Sequence, residues 1–282
     1  MEQFASGWKG NYYGKGDVTV YRLHHVGQAP AGRSPVFGAS VQLLTYGEAF
    51  WPTYTTGDNT GLIATDSMKN FIQRDSASFE GYGLEDYCRF LGAKFLDTYS
   101  QAEGVQVSAS EIPFAESEGG VAFVPSGPER AMARIELGRQ GVLEAVSAIR
   151  GFKLLRLGGS AFRGFLRDGY TTLPDLPDRA LHMWLDLEWR YVDPGAAFSD
   201  GRCTARVREI VLEVFRSFVS GSIQQMIYHL GNRLLAEIPS IAEVQLEAEN
   251  RTWDTIIERG QQPGTYVDTA PPYGCLGVRL KR

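Results

Sequence analysis

The chain has 282 residues, 43% apolar and 22% charged, with a formal net charge of −5 and an isoelectric point near 5.5. These are globular values, with room for one large domain or two of about 140 residues, and they exclude a disordered chain. Lysine and arginine are scattered rather than clustered, which argues against a nucleic-acid partner. Cys88, Cys203 and Cys275 are odd in number and far apart. That spacing favours reduced thiols in a cytoplasmic protein over disulfides. No apolar run is long enough to span a bilayer, the first ten residues hold no apolar leader core, and Leu280-Lys281-Arg282 is not a peroxisomal tripeptide.

In chain order, Val18, Val20 and Leu23 lie in one strand-like run, and Phe37, Ala39, Val41 and Leu43 alternate through a second. Thr65 or Asp66 can cap a helix whose inner face is Met68, Phe71 and Ile72. A second helix buries Leu84, Tyr87, Cys88, Leu91 and Phe95, at i, i+3, i+4, i+7 and i+11. Val105, Val107 and Ala109 then alternate with polar residues. The order returns in the second half. Met183, Leu185, Leu187, Trp189 and Tyr191 share one face of a strand, and Val207, Ile210, Val211, Val214, Phe215 and Phe218 form a helical stripe. A helix through Met226, Leu230 and Leu234 and a strand through Val244, Leu246 and Ala248 follow.

The recurrence is a tandem repeat. Thr65 to Glu111 lies without a gap on Thr204 to Asn250, a register of 139 residues. Thr65 falls on Thr204, Ser78 and Phe79 on Ser217 and Phe218, Leu91 and Gly92 on Leu230 and Gly231, Leu96 on Leu235, Val105 and Gln106 on Val244 and Gln245, and Ala109 on Ala248. Internal repeats outrank other cues to architecture. The reading is therefore α+β, with domains over 1–142 and 143–282, each an antiparallel four-stranded sheet with two helices on one face. Open sheet edges at the ends of such a pair favour closure by oligomerisation.

Common catalytic signatures are missing: there is no phosphate loop, no dinucleotide fingerprint and no Cys-x-x-Cys pair. His24, His25, His182 and His229 do not pair at metal-ligand spacing, and on a strand the adjacent His24 and His25 point to opposite faces. No nucleophile elbow marks a serine hydrolase. Five polar strings nevertheless exceed what scaffolding needs: Tyr13-Gly14-Lys15; Thr56 to Asn70, a polar loop running into a helix start; Phe162 to Leu173, followed by Arg179; Ser222-Ile223-Gln224-Gln225; and Glu249-Asn250-Arg251-Thr252-Trp253.

Together these strings resemble the urate oxidase family, over nearly the whole chain. The Gly-Asp-Asn-Thr to Ala-Thr-Asp-Ser-Met-Lys-Asn string and the Phe-Leu-Arg-Asp-Gly-Tyr-Thr-Thr-Leu string are the most specific. The resemblance implies two tandem tunnelling-fold (T-fold) domains, a homotetramer around a central tunnel, active sites at subunit interfaces, and no cofactor or metal. It implies oxidation of urate by O2 and water to 5-hydroxyisourate and hydrogen peroxide. By it, Lys15 and Thr65 are the catalytic proton relay, and Thr65 and Asp66 reach the substrate from a neighbouring chain. Phe162 stacks on the purine, Arg179 grips one edge, and Ile223 and Gln224 meet the substrate through a backbone group and a side-chain amide. Asn250 matches the oxygen and water site. Where the family commonly has histidine two residues later, this chain has Thr252, a candidate last link of the relay.

The residue types suit the chemistry on their own terms. Urate is planar, anionic and rich in donors and acceptors, so it calls for a guanidinium fork, an amide and an aromatic face. Lys15 in its neutral form is the candidate base. Two other readings stand: another T-fold purine or pterin enzyme, and a decayed urate-binding oligomer. Pterin enzymes of this fold usually anchor the ring with glutamate, whereas Gln224 and Asn250 stand opposite Glu85 and Glu111 in the repeat.

Overall fold

In the computed structural model, which describes residues 10–23, 34–81, 83–117, 122–198, 202–258, 260, 264–268 and 271–282, the alternating apolar runs become strands, as period-two patterning requires. The chain divides into two units, Met1–Ser147 with Asp193–Gly201, and Ala148–Val192 with Arg202–Arg282. The first contains β1 (Tyr13–Leu23), β2 (Val36–Tyr46), a short helix α1 (Trp51–Thr55), α2 (Thr65–Asp75), α3 (Leu84–Thr98), β3 (Gly104–Glu111), a small hairpin of β4 (Phe114–Glu116) and β5 (Phe123–Pro125), and β6 (Arg130–Gly138). The long strand β7 (Gly141–Phe162) begins in the first unit and ends in the second. There it is followed by β8 (Leu176–Tyr191), α4 (Cys203–Ser217), α5 (Ile223–Glu237), β9 (Ile241–Asn250), a hairpin of β10 (Asp254–Ile257) and β11 (Thr265–Val267), and β12 (Gly274–Lys281).

In the first unit the strands run β1-β2-β3-β6, every pair antiparallel. In the second the order is β7-β8-β9-β12, with β8 and β12 antiparallel to β9. Helix α2 packs on β1, α3 on β3 and β6, and α5 on β9 and β12. The expected helical stripes are the buried ones: Met68, Phe71 and Ile72 on α2, and Tyr87, Cys88, Leu91 and Phe95 on α3. On α4 they are Val207, Ile210, Val211, Val214 and Phe215. Phe218 lies just past the end of α4, as its C-cap.

Two devices recur at the repeat register. A Cβ on Gly92 would lie 2.4 Å from Leu137 and 3.4 Å from Val105, and one on Gly231 would lie 2.6 Å from Leu280 and 3.4 Å from Val244. Glycine lets α3 and α5 approach their sheets closely. Arg139 donates to the carbonyls of Leu96 (2.7 Å), Tyr99 (2.7 Å) and Ala102 (2.9 Å), and Arg282 donates to those of Leu235, Ile238 (3.3 Å) and Ile241 (3.2 Å). Each accepting carbonyl of the second set stands 139 residues after its counterpart. Each arginine satisfies an open carbonyl of the last helical turn, Leu96 or Leu235, and ties it to carbonyls of the chain leading into the next strand.

One expected cap is corrected. The N-cap of α2 is Ala64, with no side-chain hydrogen bond, and Thr65 is the first helical residue. Helix α1 and the hairpins β4–β5 and β10–β11 are additions to the expected order. All three cysteines are free. Among the described residues no helix is long and apolar enough to cross a membrane. His24 and His25 lie outside the described residues. His229 stacks on Phe218, with ring centroids 4.0 Å apart.

Candidate active site

Lys15 reaches the helix side of its sheet because of a β-bulge. Lys15 pairs with Leu43 and Val18 with Val41, so Gly16 and Asp17 together face Gln42 alone. Without the extra residue, Lys15 and Val18 would point to opposite faces; with it, Lys15 shares a face with the buried Leu43. Asp17 takes the positive φ of 54° that the bulge requires, a conformation that aspartate tolerates better than most residues. Gly14 is required by close approach, since a Cβ there would lie 1.9 Å from the carbonyl oxygen of Leu43.

Tyr13 precedes Lys15 by two and shares its face. Its hydroxyl accepts the N–H of Ile63 at 2.9 Å, its ring meets Phe50 edge-on at 5.1 Å, and burial pushes its pKa up to about 12. This bond pins the backbone two residues before Thr65. The preceding loop holds itself: Asp58 accepts from the N–H (2.9 Å) and hydroxyl (2.6 Å) of Thr60, an Asx-turn. Thr65 is exposed, and its hydroxyl makes no hydrogen bond among the described residues. Asp66 accepts from Lys69 at 2.5 Å and Asn70 at 3.0 Å, and Lys69 first, then the Asn70 bond and last the charge of Lys15, hold its carboxyl below the usual range. Lys15, Thr65 and Asp66 therefore form one group in the first unit.

The second unit gathers the other set. Phe162 ends β7, where Ala161 donates to the Ser220 carbonyl (2.8 Å) and Ser220 donates to that of Gly159 (3.1 Å). The strand end thus lies beside the residues that lead into α5. Ser222 caps α5 by accepting the Gln225 N–H at 3.1 Å, while the Gln225 side chain accepts the Gly221 N–H at 2.7 Å. Gln225 is committed to the cap. Ile223 is buried, whereas Gln224 is exposed, its amide unbonded among the described residues. A helix N-terminus favours a negative ligand.

Arg179 lies on β8 beside Asp178, whose carboxylate accepts from Gly159 (2.6 Å) and Ser160 (3.2 Å) and so ties β8 to the end of β7. The Arg179 guanidinium carbon sits 5.7 Å from the Phe162 ring centroid. Its Nε is buried without a hydrogen bond, and burial lowers its pKa. Among the described residues Arg179 has no carboxylate partner. Phe165 stacks on Phe162 at 4.9 Å, a return that the positive φ of Gly164 permits. The loop is closed by Asp168, which accepts from the Tyr170 N–H (2.9 Å) and the Thr171 hydroxyl (3.0 Å). Asn250 ends β9 opposite Met183 and Gly274, and its side-chain oxygen accepts both the N–H (3.2 Å) and the hydroxyl (2.6 Å) of Thr252.

Sequence reasoning missed Asp178 and Ser220, and it singled out Tyr13 and Gln225 without seeing that they are supports. The spacing Ser222-x-x-Gln225 is a capping-box signal that could have exposed the last. The others depend on tertiary partners and leave no local signature.

One unit of this duplicated α+β chain holds a half-buried cation beside an aromatic ring and, at a helix N-terminus, an exposed amide, the cation without a counter-ion and the amide unbonded among the described residues. A family model described as Uricase matches residues 145–274. The chain is 39% identical over 270 residues to a uricase of Haloferax volcanii, covering 86% of this chain and 88% of that protein. It is 38% identical over 291 residues to the uric acid degradation bifunctional protein PucL of Bacillus subtilis, covering 93% of this chain but 59% of that protein. Among solved structures, urate oxidase of Bacillus sp. TB-90 superposes with a TM-score of 0.86 at 32% identity, covering 96% of this chain and all of that one. Uricase of Bacillus fastidious gives 0.85 at 33%, covering 97% and 94%. The chain belongs to the uricase family of oxidoreductases and has its T-fold architecture.

Proposed function

We propose that this chain oxidises urate with O2 and water to 5-hydroxyisourate and hydrogen peroxide, drawing both electrons from urate itself and needing no metal or organic cofactor. The observation that carries the reading is Arg179: a half-buried guanidinium with an orphan Nε next to the Phe162 ring. Arg179 takes one edge of the urate anion bidentately, Gln224 and the backbone at Ile223 take another, and Phe162 stacks on the ring. Asn250 holds water or oxygen near the ring. Lys15 removes a proton, and Thr65, whose hydroxyl both accepts and donates, passes protons between Lys15, urate, water and peroxide.

The same reading makes the two units the two T-fold domains and completes each site with Lys15, Thr65 and Asp66 of a second copy in a homotetramer. The exposure of Thr65 and Asp66, and of the apolar Leu166 (86%) and Tyr170 (94%) in the loop after Phe162, supports an assembly that covers them. The three free cysteines support a reducing, cytoplasmic location. The test is to incubate metal-stripped protein with urate in air and follow urate and peroxide together. Urate loss with equal peroxide is the expected result. Saturable binding without turnover would leave a binding protein, and no binding would redirect attention to pterins.

A further inference from the structure

We infer that Thr252 is a positioning residue that fixes the side-chain amide of Asn250 in one orientation, with its NH2 group turned outward as a pure donor. The inference rests on the reading that Asn250 meets oxygen or water at the site. The amide orientation follows from hydrogen-bond chemistry. The Thr252 backbone N–H, 3.2 Å from the Asn250 side chain, can only donate, so the atom it faces must be the carbonyl Oδ1. The Thr252 hydroxyl lies 2.6 Å from the same oxygen and donates to it. Two donors from one residue occupy both lone pairs of Oδ1, and a flipped amide would set its NH2 against a backbone N–H.

With Oδ1 filled, only Nδ2 remains for a ligand. Among the described residues it has no partner, and Asn250 is half-exposed. A donor-only amide suits a ligand that accepts: dioxygen as it gains electrons, a peroxide oxygen, or a water lone pair. It cannot take a proton. The geometry directs the Thr252 hydroxyl hydrogen to Asn250. Thr252 therefore acts through Asn250.

The experiment compares Thr252→Val, which keeps shape and removes the hydroxyl, Thr252→Ser, which keeps the hydroxyl, Asn250→Ala, and the Asn250→Ala/Thr252→Val double variant. Each is assayed for kcat, for KM for urate and for anaerobic urate affinity, with thermal melts as a folding control. Loss of one orienting hydrogen bond predicts that Thr252→Val lowers kcat about tenfold. KM and anaerobic urate affinity hold, because Arg179 and Gln224 carry binding. Thr252→Ser restores at least half of kcat, and the double variant is no slower than Asn250→Ala. The positions of the pH–rate limbs stay unchanged in Thr252→Val, since no titrating group is removed. A Thr252→Val enzyme at full rate, or losses that add in the double variant, would overturn the positioning role while leaving Asn250 in place. An Asn250→Ala enzyme at full rate would overturn both the role and the reading beneath it.

Discussion

Replacing Arg179 with methionine should separate catalysis from stability. In the folded chain the guanidinium is half-buried, its Nε meets no acceptor, and burial lowers its pKa. A urate anion taking two of its N–H groups supplies two charge-assisted hydrogen bonds of about 1.5–3 kcal/mol each. Their loss is partly offset because a cation no longer has to be held out of water. The net effect is about 2–4 kcal/mol on kcat/KM, a fall of roughly 30- to 1000-fold. Stability should move the other way or not at all. Among the described residues no carboxylate depends on Arg179, so removing it orphans none of them, and the melting temperature should stay within about 2 °C or rise. Urate depletion over a range of concentrations gives the first quantity and scanning calorimetry the second. A kcat/KM within about threefold of the parent, or a melting point lowered by more than about 5 °C, would refute the argument and make Arg179 a structural cation.

Lys15→Met and Thr65→Ala should each lower turnover by orders of magnitude without changing oligomer size on a sizing column. Co-assembling Lys15→Met and Arg179→Met chains in equal amounts should recover about a quarter of the parent activity, because random pairing gives one site in four both intact halves; no recovery would place each site within one chain. Tyr87 is fully buried, with its hydroxyl 2.6 Å from that of Ser76, and burial pushes its pKa up to about 12. The unfolded chain releases this proton near pH 10 and the native one near 12, so the contribution is complete below pH 10 and lost as pH rises toward 12, by about 2–3 kcal/mol. Chemical denaturation at pH 8 to 11.5 should show that fall, and Tyr87→Phe should make it shallower, leaving the part due to Tyr13 and the other buried tyrosines. Arg139→Ala and Arg282→Ala should each cost about 1 kcal/mol, adding in the double variant because the two sites share no partner; urea titrations that show strong coupling would contradict that independence.

Helices α2 to α5 and strands β1, β2, β3, β8 and β9 were legible because their burial is one-sided, whereas β6, β7 and β12 were expected only as strands needed to complete each sheet. Met68, Phe71 and Ile72 fall on one face of α2, and Met183 to Tyr191 alternate along β8, so period alone identified them. Helix α1 and the hairpins β4–β5 and β10–β11 were not, because each is too short to display a period. The cap of α2 misled because Thr65 and Asp66 are good capping types, yet the chain turns one residue earlier, where Tyr13 holds Ile63. At the candidate site, the strings stood out because their polar residues also bond one another, as Asp58 does with Thr60 and Asp168 with Thr171. Their roles toward a ligand came through the family resemblance. The sequence could not reveal that Arg179 has no counter-ion among the described residues, that a bulge turns Lys15 to the helix side, or that Arg139 and Arg282 hold the ends of equivalent helices. Each depends on chain brought together from distant positions.

The shared frame of the two units sets off one difference at its most sensitive point. Gln224 is the second residue of α5 where Glu85, in the same register, is the second of α3, and the Glu85 carboxylate takes the Ser147 hydroxyl at 2.7 Å. An anion approaching the start of α3 meets a negative charge already bonded to Ser147; at the start of α5 it meets a neutral amide that bonds nothing among the described residues. The shared register thus sets a bonded carboxylate at the start of one helix and an amide at the start of the other, and under the proposed reading a calorimetric titration should count one urate per chain rather than two.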